Sequence, residues 1–125
     1  MTRRTPLLIA AALIAVHLAA EATLRTPDWA WHPRTVGWQL SAVVALTIPL
    51  AFMAYEPLVA AGVLMFAGVS GNLISSLSGP VGNPLLIDRL AFNLADVWLA
   101  AGFVAAAAAL PWVFRDIHRR IEASA

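Results

Sequence analysis

The sequence predicts an all-α membrane protein, a single four transmembrane helix bundle with both termini cytoplasmic. Three observations carry that expectation. Of 125 residues, 61% are hydrophobic and 12% charged, with a mean hydropathy of +0.78. A soluble domain of this length has too little interior to hide so much apolar surface. Apolar stretches of spanning length recur four times, at about residues 6–24, 37–55, 58–77 and 91–114, separated by segments rich in Pro, Gly and charge. Four spans put both ends on one side, with Arg3, Arg4, Arg115, Arg119 and Arg120, against Arg25, Arg34 and Arg89 on the other. Excess arginine marks the cytoplasmic side.

The elements follow in order. A basic tip, Thr2-Arg3-Arg4-Thr5, precedes the first apolar run. Ala20-Glu21-Ala22 has the small-x-small form of a signal-peptide cleavage site. The run nevertheless continues to Leu24, about 19 residues in all, and is expected to stay as the first span. Residues 25–36 form a polar connection in which Trp29 and Trp31 stand beside Asp28, His32 and Arg34, as at a membrane–water interface. The second span is expected to kink at Pro49, which lacks a backbone donor. Glu56-Pro57 makes a short turn into the third span, where Ala67, Gly71 and Ser75 recur every four residues as a stripe for close helix packing. Residues 78–90 read as a loop, and the charged residues 115–120 as a terminal stub after the fourth span.

Composition excludes several classes. A net charge of +1 gives no nucleic-acid footprint. Without cysteine there is no disulfide framework, thiol nucleophile or lipid-modified cysteine, and all eight basic residues are arginine, so a Ser–Lys nucleophile is excluded. No metal or cofactor is expected.

The polar residues inside the spans are the candidates for a site. Asn93 and Asp96 lie one helical turn apart at the head of the fourth span. A carboxylate there is costly, and points to function unless it simply stabilises the helix N-terminus. Asn72 and Ser75 stand at the outer end of the third span, where helix–helix hydrogen bonds are the plainer reading. His17 and Glu21 share a face of the first span, as a local pair or as part of the same site. The topology brings all six to one depth, around a pocket centred on Asp96.

Gly71-Asn72-Leu73-Ile74 followed by Phe92-Asn93-Leu94-Ala95-Asp96 resembles the lipoprotein signal peptidases (signal peptidase II), four-span aspartic proteases of the bacterial cytoplasmic membrane. In that family G-N-x-x-D-R ends span three and F-N-x-A-D opens span four, and the two Asp form the catalytic dyad. The second motif matches fully, and Gly79-Pro80-Val81-Gly82-Asn83 resembles the family's G-x-V-x-D with Asn83 in place of Asp. The resemblance implies Asp96 as a catalytic position, an inner-membrane location, and as partners membrane lipid, a lipoprotein signal peptide or another membrane protein.

The sequence departs from the family where the chemistry is most exacting. Ser75 stands at the first catalytic Asp and Ser76 at the Arg; the family's D-x-x-x-K spacing falls on His17 and Glu21. Of the N-x-G-x-A-F box, residues 35–40 keep only Gly37, and the first connection is short for the family's substrate cradle. Two close carboxylates sharing a proton are what lets such a dyad activate water. A serine hydroxyl cannot take that part, so a non-catalytic protein with a lipid-, signal-peptide- or partner-helix-binding pocket is the leading expectation. The alternatives are an active peptidase that pairs Asp96 with Glu21 or Asp88, and a small structural subunit docking through the span-three stripe.

Overall fold

The structure, a computed structural model, describes residues 4–124; Arg3 of the basic tip lies outside the described residues. It has four helices long and apolar enough to cross a membrane: Thr5–Thr23, Val36–Met53, Glu56–Ser78 and Leu94–Ser124. Helix α1 (Thr5–Thr23) opens with Pro6 in its first turn, where a missing N–H costs nothing. Its C-terminus is closed by the Thr23 hydroxyl, which donates to the Ala19 carbonyl at 2.7 Å.

The second crossing is split into α2 (Val36–Ala45) and α3 (Thr47–Met53). Thr35 caps α2 by accepting the Trp38 N–H at 3.1 Å, and the Arg34 guanidinium lies 4.7 Å over the Trp38 ring. The break falls at Leu46, one turn before the expected position at Pro49. A proline ring disrupts the helix against the carbonyl four residues earlier, here that of Ala45. Leu46 keeps helical torsions, so the two halves continue as one rod.

Helix α4 (Val59–Ser78), entered through the turn Glu56–Leu58, is the hub of the bundle and packs against every other helix. The stripe Ala67, Gly71, Ser75 is buried inside this bundle. Helix α5 (Leu94–Ser124) lies so close that a Cβ on Gly68 would stand 2.5 Å from the Ala95 carbonyl and 2.8 Å from the Leu99 amide. The stripe is therefore occupied by the chain's own helices, which corrects the reading of it as a docking face for a partner. Elsewhere the large side chains point outward: Leu8, Val44, Phe103 and Val104 are all more than half exposed. Small residues inside and large ones outside is the arrangement expected where lipid, not water, surrounds the helices.

Two corrections concern the connections. Residues 78–90, expected as a loop, and residues 91–92, expected as the start of the fourth span, supply three of the four strands of two pairs. Strand β1 (Trp31–His32) pairs antiparallel with β2 (Val81–Gly82), and β3 (Leu85–Ile87) with β4 (Leu90–Phe92). The Asn83 N–H extends the first pair by donating to the Ala30 carbonyl at 3.2 Å. Both connections thus meet over one end of the bundle and hold the start of α5 against α4. The second correction concerns the charged stub, which is helical: α5 runs through Pro111 to Ser124. Its 31 residues reach about 46 Å, past a hydrocarbon layer of about 30 Å. At that far end the Tyr55 hydroxyl donates to Asp116 Oδ2 at 2.7 Å, which raises the Tyr55 phenol above its ordinary value of 10.0.

Candidate functional site

The site is built at the end of the bundle covered by the strand pairs, from α1, α4, α5 and the segment between the last two. Asn93 is the residue before α5, and its Oδ1 accepts the Asp96 N–H at 3.0 Å. Asp96 Oδ2 returns the contact by accepting the Asn93 N–H at 3.2 Å. This is a reciprocal capping box, which satisfies two amides of an open helix end. The other carboxylate oxygen, Oδ1, accepts from Asn72 Nδ2 at 2.8 Å. Asn72 Oδ1 in turn accepts from Asn93 Nδ2 at 2.8 Å, and that amide also donates to Asn83 Oδ1 at 3.1 Å. Asn83 closes the chain by donating to the Ala91 carbonyl at 3.3 Å. The three asparagines are buried and Asp96 half-buried. An unpaired amide in such a place costs about 1–3 kcal/mol, so the ladder is a strong constraint on how α4 and α5 meet.

One turn along α4 a second group forms. His17, fully buried on α1, places Nε2 3.1 Å from Ser75 Oγ. Ser75 Oγ donates to Glu21 Oε2, so His17 Nε2 supplies the proton that Ser75 Oγ accepts. Glu21 Oε2 lies 3.7 Å from His17 Nε2, while Oε1 accepts the Gly82 N–H at 2.8 Å. Among the described residues His17 Nδ1 has no hydrogen-bond partner in good geometry. Glycine at 71 allows this approach, because a Cβ there would stand 2.9 Å from His17 Cδ2 and 3.2 Å from the Ala95 Cβ.

The six sequence-predicted residues are therefore all brought to one end, but in two hydrogen-bonded groups. Asp96 belongs with Asn72 and Asn93; Glu21 belongs with Ser75 and His17. Asp88 joins neither. It sits exposed in the turn of the β3–β4 hairpin with φ 52°, a left-handed conformation that Asp tolerates better than most residues. A groove of about 420 Å³ between α1 and α4 is lined by Glu21 and Ser75, together with Leu18, Trp31, Ile74 and Pro80. Asp96 is not in its wall, so the expected centre of the pocket shifts from Asp96 to Glu21 and Ser75. The sequence reading did not assign binding roles to Asn83, the Gly82 amide or Trp31. Asn83 alone had a signal, in its G-x-V-x-D-like stretch. Ser76 takes a hydrogen bond from Gln39 Nε2 at 3.2 Å and serves helix packing.

This geometry limits the chemistry. Glu21 and Asp96 hold different partners, so they do not share a proton as an aspartic dyad does. Ser75 has an imidazole within reach, the first requirement of an activated nucleophile. Its proton is directed to Glu21, however, and among the described residues no carboxylate orients His17 through Nδ1. The nearby donors suited to stabilising an oxyanion are spent, Gly82 N–H on Glu21 and the Asn72 amide on Asp96.

Fold and site together define an α-helical protein with four helices long and apolar enough to cross a bilayer, and a polar cluster at one end of the bundle. No protein-family model and no curated protein matches the chain.

Proposed function

We propose that this chain is a multi-pass protein of the bacterial cytoplasmic membrane, of signal peptidase II type, that lacks proteolysis and keeps a binding role. Both termini are cytoplasmic, and the groove over Glu21 and Ser75 receives a lipid, the signal peptide of a lipoprotein or a partner's transmembrane helix. The observation that carries this reading is the occupancy of the dyad positions. Asp96 is bonded to Asn72 and to the α5 N-terminus, and the facing position carries the Ser75 hydroxyl. The test is incubation of the purified protein with a prolipoprotein in detergent. No cleavage is expected, while the prolipoprotein should co-purify with the wild type and be lost from Ser75→Leu, which fills the groove. Specific cleavage that disappears in Asp96→Asn would overturn the reading.

A second reading has one observation in its favour. Glu21 reaches from α1 to the hydroxyl of Ser75, and so brings a carboxylate next to the vacant dyad position. An active peptidase of this kind would use Glu21 with Asp96. Cleavage lost equally in Glu21→Gln and Asp96→Asn would establish it.

A further inference from the structure

The opposite end of the bundle carries a second cavity, of about 360 Å³, between the overhang of α5 and the turn from α3 to α4. Arg115, Arg119 and Arg120 line it beside Trp112. At a spacing of four residues Arg115 and Arg119 share a helical face, while Arg120 stands about 100° further round the helix. Their charges are not equally committed. Arg120 Nε donates to Asp116 Oδ2 at 2.9 Å, and the Tyr55 hydroxyl donates to the same oxygen, so these three groups form a closed set. Among the described residues neither the Arg115 nor the Arg119 side chain makes a hydrogen bond or an ion pair, although, beside the Tyr55 hydroxyl, Arg119 lies near enough to Asp116 to help hold its carboxyl below the ordinary value. Against these two cations the cavity offers one further carboxylate, the exposed Glu56. The cavity therefore keeps an excess of positive charge, on guanidinium groups whose planar forks fit phosphate oxygens.

Its position selects the form of the phosphate. The helix outruns the hydrocarbon layer at this end, which brings residues 112–120 to the level of lipid headgroups. Trp112 and Phe114 are more than half exposed, so apolar surface continues from the cavity mouth. We propose that this cavity binds the phosphodiester headgroup of a membrane phospholipid, with Arg115 and Arg119 on the phosphate and Trp112 against the glycerol and upper acyl chain. A free phosphate has the same oxygens but no use for that apolar border. Glu56 stands where it can meet the amine of a zwitterionic headgroup. The inference does not depend on what the Ser75 groove binds.

The test uses the full chain in detergent and native mass spectrometry. Dioctanoyl phosphatidylglycerol and phosphatidylethanolamine are titrated beside dioctanoylglycerol, which has the same chains and no phosphate. The phospholipids are expected to bind and dioctanoylglycerol not to. An Arg115→Gln/Arg119→Gln variant should bind about thirtyfold more weakly, since each arginine at a lipid surface is worth about fivefold. Arg4→Gln, which removes a charge outside the cavity, should change affinity by less than about twofold. Equal binding of dioctanoylglycerol would overturn the proposal in the wild type alone, whatever the fold of the variants. An equal loss from Arg4→Gln would reduce the site to diffuse charge. Displacement by inorganic phosphate at the lipid's own concentration would assign the cavity to free phosphate.

Discussion

Asn72 on α4 hands its amide to the carboxylate of Asp96 on α5 at 2.8 Å, and its carbonyl takes the amide of Asn93 at the same distance. One side chain thus bolts the head of the last helix to the central one. Asn72→Ala would leave Asp96 one partner short and free half of the Asn93 amide. The expected loss is about 1–3 kcal/mol of stability, read as a lower melting temperature in detergent. Asn72→Asp should cost at least as much, because it sets two carboxylates face to face. An unchanged melting temperature in both variants would remove the ladder from the account of stability.

Asp96 itself is expected to act mainly as a cap. Asp96→Asn keeps one acceptor oxygen, for the Asn93 N–H, but turns its NH2 towards the Asn72 amide donor, and should cost about 1–3 kcal/mol. Asp96→Ala leaves both donors unanswered and should cost about 2–4 kcal/mol. Binding in the Ser75 groove should survive Asp96→Asn, because Asp96 is absent from its wall. Loss of binding with an intact fold would give Asp96 a direct part in recognition.

Backbone contact between α4 and α5 sets the third expectation. Gly68→Ala places a methyl group 2.5 Å from the Ala95 carbonyl, and should cost about 1–3 kcal/mol. Gly37→Ala meets nothing closer than 3.9 Å, on α2, and should be neutral or slightly stabilising. Similar losses from both substitutions would mean that the helices can move apart.

Tyr55 is the only tyrosine, so its phenolate absorbance can be followed without interference. Donation to Asp116 favours the neutral phenol in the folded protein. Because the folded-state value is raised, the contribution to stability is complete below the ordinary value of 10.0 and is lost as pH rises through the folded one. The midpoint should lie above 10.0 in the wild type and fall towards it in Asp116→Asn. Coincident titrations would mean that the hydrogen bond does not persist in solution.

The proposed orientation has a direct check. Reporters fused after Ala125 and within residues 27–33 should read out on opposite sides of the membrane, the first in the cytoplasm. Signals from the same side would defeat it.

Much of this was legible in the sequence because the relevant signals are local. Hydropathy sets the crossings within a few residues, save the far end of the fourth, which runs ten residues on to Ser124, and Asn93 and Asp96 at one-turn spacing already describe a capped helix. The common depth of His17, Glu21, Asn72 and Ser75 follows from rise per residue once the spans are placed. What was not legible is which of these groups bonds to which. Nothing near Glu21 in the chain announces that its partners are Ser75 and the Gly82 amide. Strands of two or three residues carry no readable alternation, so β1 to β3 passed as connection and most of β4 as the head of the fourth span. The extension of α5 through Pro111 had a similar cause. One lost hydrogen bond does not end a helix whose preceding residues, 105–109, are all alanine.

The hydrogen bond between His17 and Ser75 spans 58 positions of chain, and it has a consequence for biogenesis. When α1 leaves the ribosome, its imidazole and the carboxylate of Glu21 have only each other, 3.7 Å apart, and the Ser75 hydroxyl joins them only when α4 follows. The Gly82 amide and the Asn72–Asp96 bolt come later still, the latter with the final helix. A chain truncated before α5 would therefore leave the Asn72 amide without its Asp96 and Asn93 partners. The polar end closes only when every helix has been delivered.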